Sequence, residues 1–324
     1  MTRTPDFIAR ETLDRELDWG RLIHAIEFEL KQNRIIVPER HNHTITLPSG
    51  SGGSSGASAA TANLLLMPAW ISGKAIGVKL VSFFPGNREQ GLPTIHATYI
   101  LMNGETGAVQ AVIDGDALTE RRTAAASALA ARHLARTDSR TLLVVGTGQL
   151  SVSVAEAHAH GRALQRIMIF GRSPDKAARV VDVLRKKGLP AEICKDVESG
   201  CRASDIISCV TSSTTPIVFG EWLRPGTHLD LIGSFSPALR ESDDAAVRRA
   251  RIFVDTRTGA MQSGDLCHPL ANGSLRETDI LGELADLVRE PARGRLERSD
   301  ITLFKSAGFA LEDMAAALLA AGND

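Results

Sequence analysis

The chain has 324 residues, with 37 Lys and Arg against 38 Asp and Glu, a formal net charge of −1 and 43% hydrophobic residues. This length exceeds what one hydrophobic core usually serves, so two domains are expected. Near-neutral charge, with arginines scattered among carboxylates, argues against nucleic acid or an acidic membrane surface as partner.

Met1 to Arg10 has no apolar run behind a basic start, and no later stretch approaches the length of a membrane span. A cytoplasmic protein is expected. The first element is a helix over Trp19 to Leu30, where Leu22, Ile26 and Leu30 recur four apart and define one buried stripe. Ile35 to Leu47 reads as extended, and Pro48 to Gly56, almost only Ser and Gly, reads as a surface loop and not a domain boundary. Strand patterns follow at Leu64–Met67, Ala75–Phe84, Thr94–Asn103 and Ala108–Asp114, separated by Gly and Pro turns, which together predict a mostly antiparallel sheet. The alanine-rich run Leu118 to Ala135 has high helix propensity and is expected to join the two domains.

Beyond it the rhythm changes. An apolar strand at Thr141–Val145, a helix from about Ser151, a strand at Arg166–Phe170 and a helix at Asp175–Lys187 closed by Gly188 predict a parallel, doubly wound sheet. Ile206–Val210, His228–Ile232 and Ile252–Asp255 are further strand candidates, and Ala307–Ala321 reads as a helix returning to the first domain. The fold class expected is thus α/β, a Rossmann-type sheet plus a discontinuous α+β domain. Its boundaries are 1–120 with 305–324 for the latter, and 121–304 for the former. Cys194, Cys201, Cys209 and Cys267 show neither CxxC spacing nor pairing, and His158 and His160 cannot share a helix face, so neither disulfides nor a metal site is expected.

The most informative segment is Leu142-Leu143-Val144-Val145-Gly146-Thr147-Gly148-Gln149-Leu150-Ser151, a buried strand running through Gly-x-Gly-x-x-Ser into a helix. Gly146 allows the tight turn, Gly148 lets backbone approach a pyrophosphate, and Gln149 and Leu150 open the helix whose N–H groups would face it. The following strand ends at Phe170-Gly171-Arg172-Ser173, where an NAD-preferring site would carry an acid. Arg172 and Ser173 suit a 2′-phosphate, so NADP(H) is the expected cofactor, with NAD(H) as the alternative. On the substrate side, Lys79 interrupts an apolar strand, where a buried cation needs an anion. Arg40 and Arg121-Arg122 are further cations in apolar context; of the last pair, Arg121 is expected to face outward.

These segments, together with Met67-Pro68-Ala69, Gly91-Leu92-Pro93, Asp114-Gly115, Leu118 to Ala125, Gly233-Ser234-Phe235-Ser236-Pro237, Arg240-Glu241 and Thr302 to Gly308, resemble the ornithine cyclodeaminase/mu-crystallin family over nearly the whole chain. The resemblance implies a homodimer. It also implies that Arg40, Lys79 and Arg122 hold a substrate carboxylate, and that Thr94, Thr211, Ser306 and Ala307 lie near the nicotinamide or its ribose. Cyclodeaminases carry an aspartate where this chain has Phe235, so Phe235 would instead pack on the ring of a cyclic substrate. The expected reaction is then reduction of small cyclic imino acids, pyrroline-2-carboxylate to L-proline and piperideine-2-carboxylate to L-pipecolate, the proton coming from solvent before binding or from a pocket group, for which Lys79 and Ser234 are the candidates. The alternatives are an ornithine cyclodeaminase, an alanine dehydrogenase-like oxidoreductase, and a crystallin-type protein that keeps NADP(H) without turnover.

Overall fold

In a computed structural model, residues 4–48 and 61–322 are described; most of the Ser/Gly segment expected to form a surface loop lies outside them. Two compact units divide the chain: Met1–Asp18, Gln32–Arg122 and Ala310–Asp324 form the first, Trp19–Lys31 and Thr123–Phe309 the second.

The first unit is built on six strands, β1 (Asp6–Ile8), β2 (His41–Thr46), β3 (Thr61–Ile71), β4 (Ala75–Phe83), β5 (Ile95–Asn103) and β6 (Val109–Asp114), in the order β1-β6-β5-β4-β3-β2. All neighbours are antiparallel except β1 and β6. Asn103 closes the β5–β6 turn by accepting the backbone N–H groups of Glu105 and Thr106 on Oδ1. This is the local chemistry that makes Asn a turn former. Strand alternation puts Ala75, Gly77 and Lys79 of β4 on its buried face. The last helix of the chain, labelled in order below, packs on β3 and β4. Gly77 permits a close approach: a Cβ there would lie 1.8 Å from the Tyr99 hydroxyl oxygen, so only glycine lets buried Tyr99 lie against this strand.

The second unit is an eight-stranded sheet, parallel throughout. Its strands are β7 (Thr141–Val145), β8 (Arg166–Phe170), β9 (Ala191–Ile193), β10 (Ile206–Cys209), β11 (His228–Leu231), β12 (Ala250–Val254), β13 (Ile280–Glu283) and β14 (Ile301–Lys305), in the order β13-β12-β14-β11-β10-β7-β8-β9. β10 and β11 are buried at every residue and β7 at all but its first, as a parallel sheet covered on both faces requires. The chain runs from β7 outward to β9 and then returns to β10 on the other side of β7. The carboxyl ends of β7 and β10 therefore flank the point where strand order reverses, where ligands bind in open α/β sheets.

Helices α1 (Arg10–Glu16) and α2 (Trp19–Gln32) lie between β1 and β2 in the chain, and α3 (Gly115–Leu134) carries the chain from one unit into the other. Between the strands of the second sheet come α4 (Leu150–His160), α5 (Pro174–Lys186), α6 (Val197–Ala203), α7 (Asp244–Arg249), α8 (Arg257–Ala260), α9 (Gly264–Ala271) and α10 (Leu284–Arg289), and α11 (Ala310–Ala320) ends the chain. Helix α2 groups with the second unit and not with residues 1–120 as its sequence position suggests. Its buried stripe is Leu22, Ile23, Ile26 and Leu30, and the Arg289 guanidinium donates two hydrogen bonds to the Leu30 carbonyl. His158 and His160 lie in the last turn of α4. Among the described residues, no helix is long and apolar enough to cross a membrane.

Candidate active-site residues and family membership

Within the first unit, Lys79 and Arg122 are brought together by an anion that the sequence reading required without locating. The Lys79 ammonium lies 2.9 Å and 2.8 Å from the two oxygens of Asp313. Arg122 donates from Nε to Asp313 Oδ1 at 2.9 Å and from Nη1 to Glu312 at 2.8 Å. Both acids stand on α11, whose residues Ala310 to Leu319 are all buried. Lys79 is 2% and Arg122 4% exposed, so solvent screens these charges little. Burial and the neighbouring Arg122 charge push the Lys79 ammonium down to about 8, with Asp313 and Glu312 offsetting part of that effect. Burial would raise the Asp313 carboxyl, but the charges of Arg122 and Lys79 and their hydrogen bonds outweigh it and hold it below the ordinary carboxylate range.

Arg121 corrects an expectation. It does not face outward: it is 9% exposed, bonding the Leu17 carbonyl and pairing with Asp14 at 3.3 Å. Arg40 is half-buried just before β2, and Thr94 half-buried just before β5, where its carbonyl accepts the Phe84 N–H.

In the second unit the expected glycine turn follows β7. Gly146 has φ +130°, a region that favours glycine, and a Cβ there would come within 2.8 Å of the Val210 carbonyl oxygen. A Cβ on Gly148 would meet nothing within 4 Å. Gln149 precedes α4 without donating or accepting a side-chain cap, so the first turn of α4 carries N–H groups that no cap satisfies. Open space over Gly148 beside those donors fits a dinucleotide pyrophosphate. After β8, Arg172 is exposed, whereas the Ser173 hydroxyl caps α5 by accepting the Lys176 N–H at 3.4 Å.

The remaining cofactor-side candidates follow the other strands, and buried carboxylates hold their loops. Glu241 Oε1 accepts the Thr211 N–H at 2.7 Å and its hydroxyl at 2.9 Å, while Oε2 accepts the N–H groups of Gly233 at 2.8 Å and Ser234 at 3.2 Å. One side chain thus ties the loop after β10 to the loop after β11. Burial pushes the Glu241 carboxyl up to about 7, against the lowering effect of the Lys305 charge. Asp265 accepts the N–H groups of Glu241 and Ser242 and pairs with buried Lys305 at 3.1 Å. Asp255 likewise accepts the Ser306 hydroxyl at 3.0 Å and the N–H groups of Ala307 at 2.6 Å and Gly308 at 2.7 Å. Ser234, one of the two candidate proton donors, is fully buried, and its hydroxyl donates to the Leu239 carbonyl. Phe235, next along, is 40% exposed.

The sequence reading passed over Asp313, Glu312, Asp265 and Asp255. Glu312 and Asp313 had a signal, two adjacent acids inside an otherwise apolar helix pattern; Asp255 and Asp265 had none, because most of their partners are backbone groups.

Comparison with known proteins places this arrangement. The model of the ornithine cyclodeaminase/mu-crystallin family matches residues 54–322. Δ1-Pyrroline-2-carboxylate reductase of Paracoccus denitrificans is 38% identical over 258 residues, covering 78% of this chain and 81% of that protein. The structure of Thermococcus litoralis Δ1-pyrroline-2-carboxylate reductase in complex with NADH and L-proline superposes with a TM-score of 0.88 at 29% identity, covering 98% of this chain and 96% of that one. An archaeal alanine dehydrogenase dimer with bound NAD gives a TM-score of 0.86 at 26% identity, over 98% and 95% of the two chains. The extent of these matches, over the same segments that carry the buried cations and the glycine turn, establishes that this chain belongs to the ornithine cyclodeaminase/mu-crystallin family.

Proposed function

We propose that the protein is an NAD(P)H-dependent reductase of cyclic ketimine acids, converting pyrroline-2-carboxylate to L-proline and piperideine-2-carboxylate to L-pipecolate. The observation that carries this reading is the buried Lys79–Arg122 pair, two cations brought together on Asp313 and suited to fixing one ligand carboxylate. Arg40 is assigned to the same carboxylate. Gly146, Gly148, Gln149 and Leu150 would hold the pyrophosphate, Arg172 a ribose 2′-phosphate, and Thr211, Ser306 and Ala307 the nicotinamide end. When bound, the reduced nicotinamide supplies a hydride to the imine carbon that bears the carboxylate.

Fixing the carboxylate fixes that carbon, because the two are directly bonded. One proton must reach the ring nitrogen. Lys79, held near 8, is protonated at neutral pH and close enough to its titration point to release a proton, which makes it the donor favoured here. Phe235 offers apolar surface and no proton, which suits a preformed ketimine and not the amine chemistry of a cyclodeaminase. The archaeal alanine dehydrogenase match favours one second reading, reductive amination of a 2-oxo acid. NADPH is the favoured cofactor on the exposed Arg172, and a homodimer is the assembly proposed.

Absorbance of NADPH and NADH followed with pyrroline-2-carboxylate, piperideine-2-carboxylate, and pyruvate plus ammonia, alongside ornithine with NAD, tests the assignment. Oxidation of the reduced cofactor by the two ketimines, with no ammonia released from ornithine, is expected. Faster turnover of pyruvate plus ammonia would replace this reading with the second, and dinucleotide binding without any turnover would leave a binding protein.

A further inference from the structure

We propose that Asp313 is a positioning residue for this reaction, whose carboxylate clamps the Lys79 ammonium and the Arg122 guanidinium into one fixed carboxylate-binding unit. The proposal rests on the assignment of Lys79 and Arg122 above. Its basis is geometric. Two cations converging on one ligand carboxylate repel each other, and in a buried site that repulsion is poorly screened. Asp313 lies between them, within 2.9 Å of both, 234 residues beyond Lys79 and 191 beyond Arg122 in the chain. An ammonium carries three donors and Asp313 offers two oxygens, so Lys79 keeps at least one N–H for a ligand while its direction is set.

The groups facing Lys79 are Arg122 from α3, Asp313 and Glu312 from α11, and Tyr99, its register partner on β5. Burial raises the Tyr99 phenol well above its ordinary value, so it stays neutral. Glu312 touches Arg122, whereas Asp313 touches both cations. Asp313 is therefore the group whose loss would release Lys79, uncouple it from Arg122 and cost Lys79 its proton.

The test uses the full chain as wild type, D313N and D313E, with two readouts. The first is the pH profile of kcat/KM for pyrroline-2-carboxylate, which is expected to fall as pH rises through the Lys79 titration at about 8. The second is NMR titration of protein carrying isotope-labelled lysine, with Lys79 assigned by difference from K79M. In D313N both midpoints are expected to move down together by about one pH unit or more, the effect of removing an opposite charge at contact distance. In D313E the charge returns one methylene out of place, so Lys79 is expected to titrate near its wild-type value while kcat/KM stays lowered. A D313N protein whose Lys79 titrates as in wild type overturns the clamp, and so does D313E with wild-type efficiency. A shifted lysine titration with an unmoved kinetic profile instead removes Lys79 from the reaction and, with it, the functional reading beneath the proposal. If D313N does not fold, D313E carries the test alone.

Discussion

Replacing Gly148 by alanine separates the fold of the second unit from its proposed ligand. The added Cβ meets no heavy atom within 4 Å, and Gly148 does not occupy the left-handed region, so the ligand-free protein has nothing to rearrange. Loss of glycine's freedom in the unfolded chain should even raise stability by about 0.4–1 kcal/mol. A pyrophosphate, by contrast, needs the space over Gly148 to reach the backbone donors at the start of α4. Pushing it away by a methyl group forfeits at least one charge-assisted hydrogen bond, about 1.5–3 kcal/mol, so the dinucleotide Kd should rise roughly tenfold to a hundredfold. Melting curves with and without NADPH read both effects. At a concentration 100 times the native Kd the ligand adds about 2.7 kcal/mol to wild type, but only roughly 0.4 kcal/mol to a variant whose Kd has risen a hundredfold. Gly146→Ala is the contrasting variant: with φ at +130° and Val210 atoms 2.8 Å from the new Cβ, it should destabilise the ligand-free protein itself by roughly 1–3 kcal/mol. A G148A protein that binds NADPH as wild type does, or that is destabilised without ligand, would refute the reasoning.

Two further outcomes follow from the charges. Arg172→Asp should weaken NADPH use far more than NADH use, by roughly the 1–3 kcal/mol of a charged hydrogen bond; steady-state constants for the two cofactors measure it, and equal losses would remove Arg172 from cofactor discrimination. Lys79 makes stability depend on pH. Its folded value, lowered to about 8 from 10.5, leaves the unfolded chain holding an extra proton between those two values. Stability should therefore rise with pH across that window by about 3 kcal/mol. K79M should lack the rise, so a flat wild-type-minus-K79M difference in denaturant melts from pH 7.5 to roughly 10.5 would contradict the burial of a charged lysine.

The parts of the molecule legible from sequence are those whose cause is local. The strand–glycine–helix run at Leu142 to Ser151 is recognisable because turn geometry and helix start are set by neighbouring residues. Lys79 was legible as a cation needing an anion, since its strand context alone makes it expensive. Its partner was not, because Asp313 is brought to it by tertiary folding across 234 positions. Arg121 and Arg122 are adjacent and chemically identical, and helical spacing does not say which one meets the acids of α11 and which one folds back on the Leu17 carbonyl. Glu241 and Asp255 are harder still. Their partners are mostly main-chain N–H groups, which every residue but proline carries and which therefore leave no trace in a sequence pattern.

The discontinuity of the first unit also sets an order of assembly. The second unit draws all but its α2 segment from one continuous stretch of chain, so its contacts can form among residues made close together in time. The first sheet is synthesised earlier, yet it remains without α11 until the whole of the other unit has been made. During that interval Lys79 sits in an apolar strand without Asp313. Contacts of such wide sequence separation are slow to form because loop closure precedes their reward. Acquisition of the buried cation pair is thus expected to be a late folding event, following formation of the second sheet.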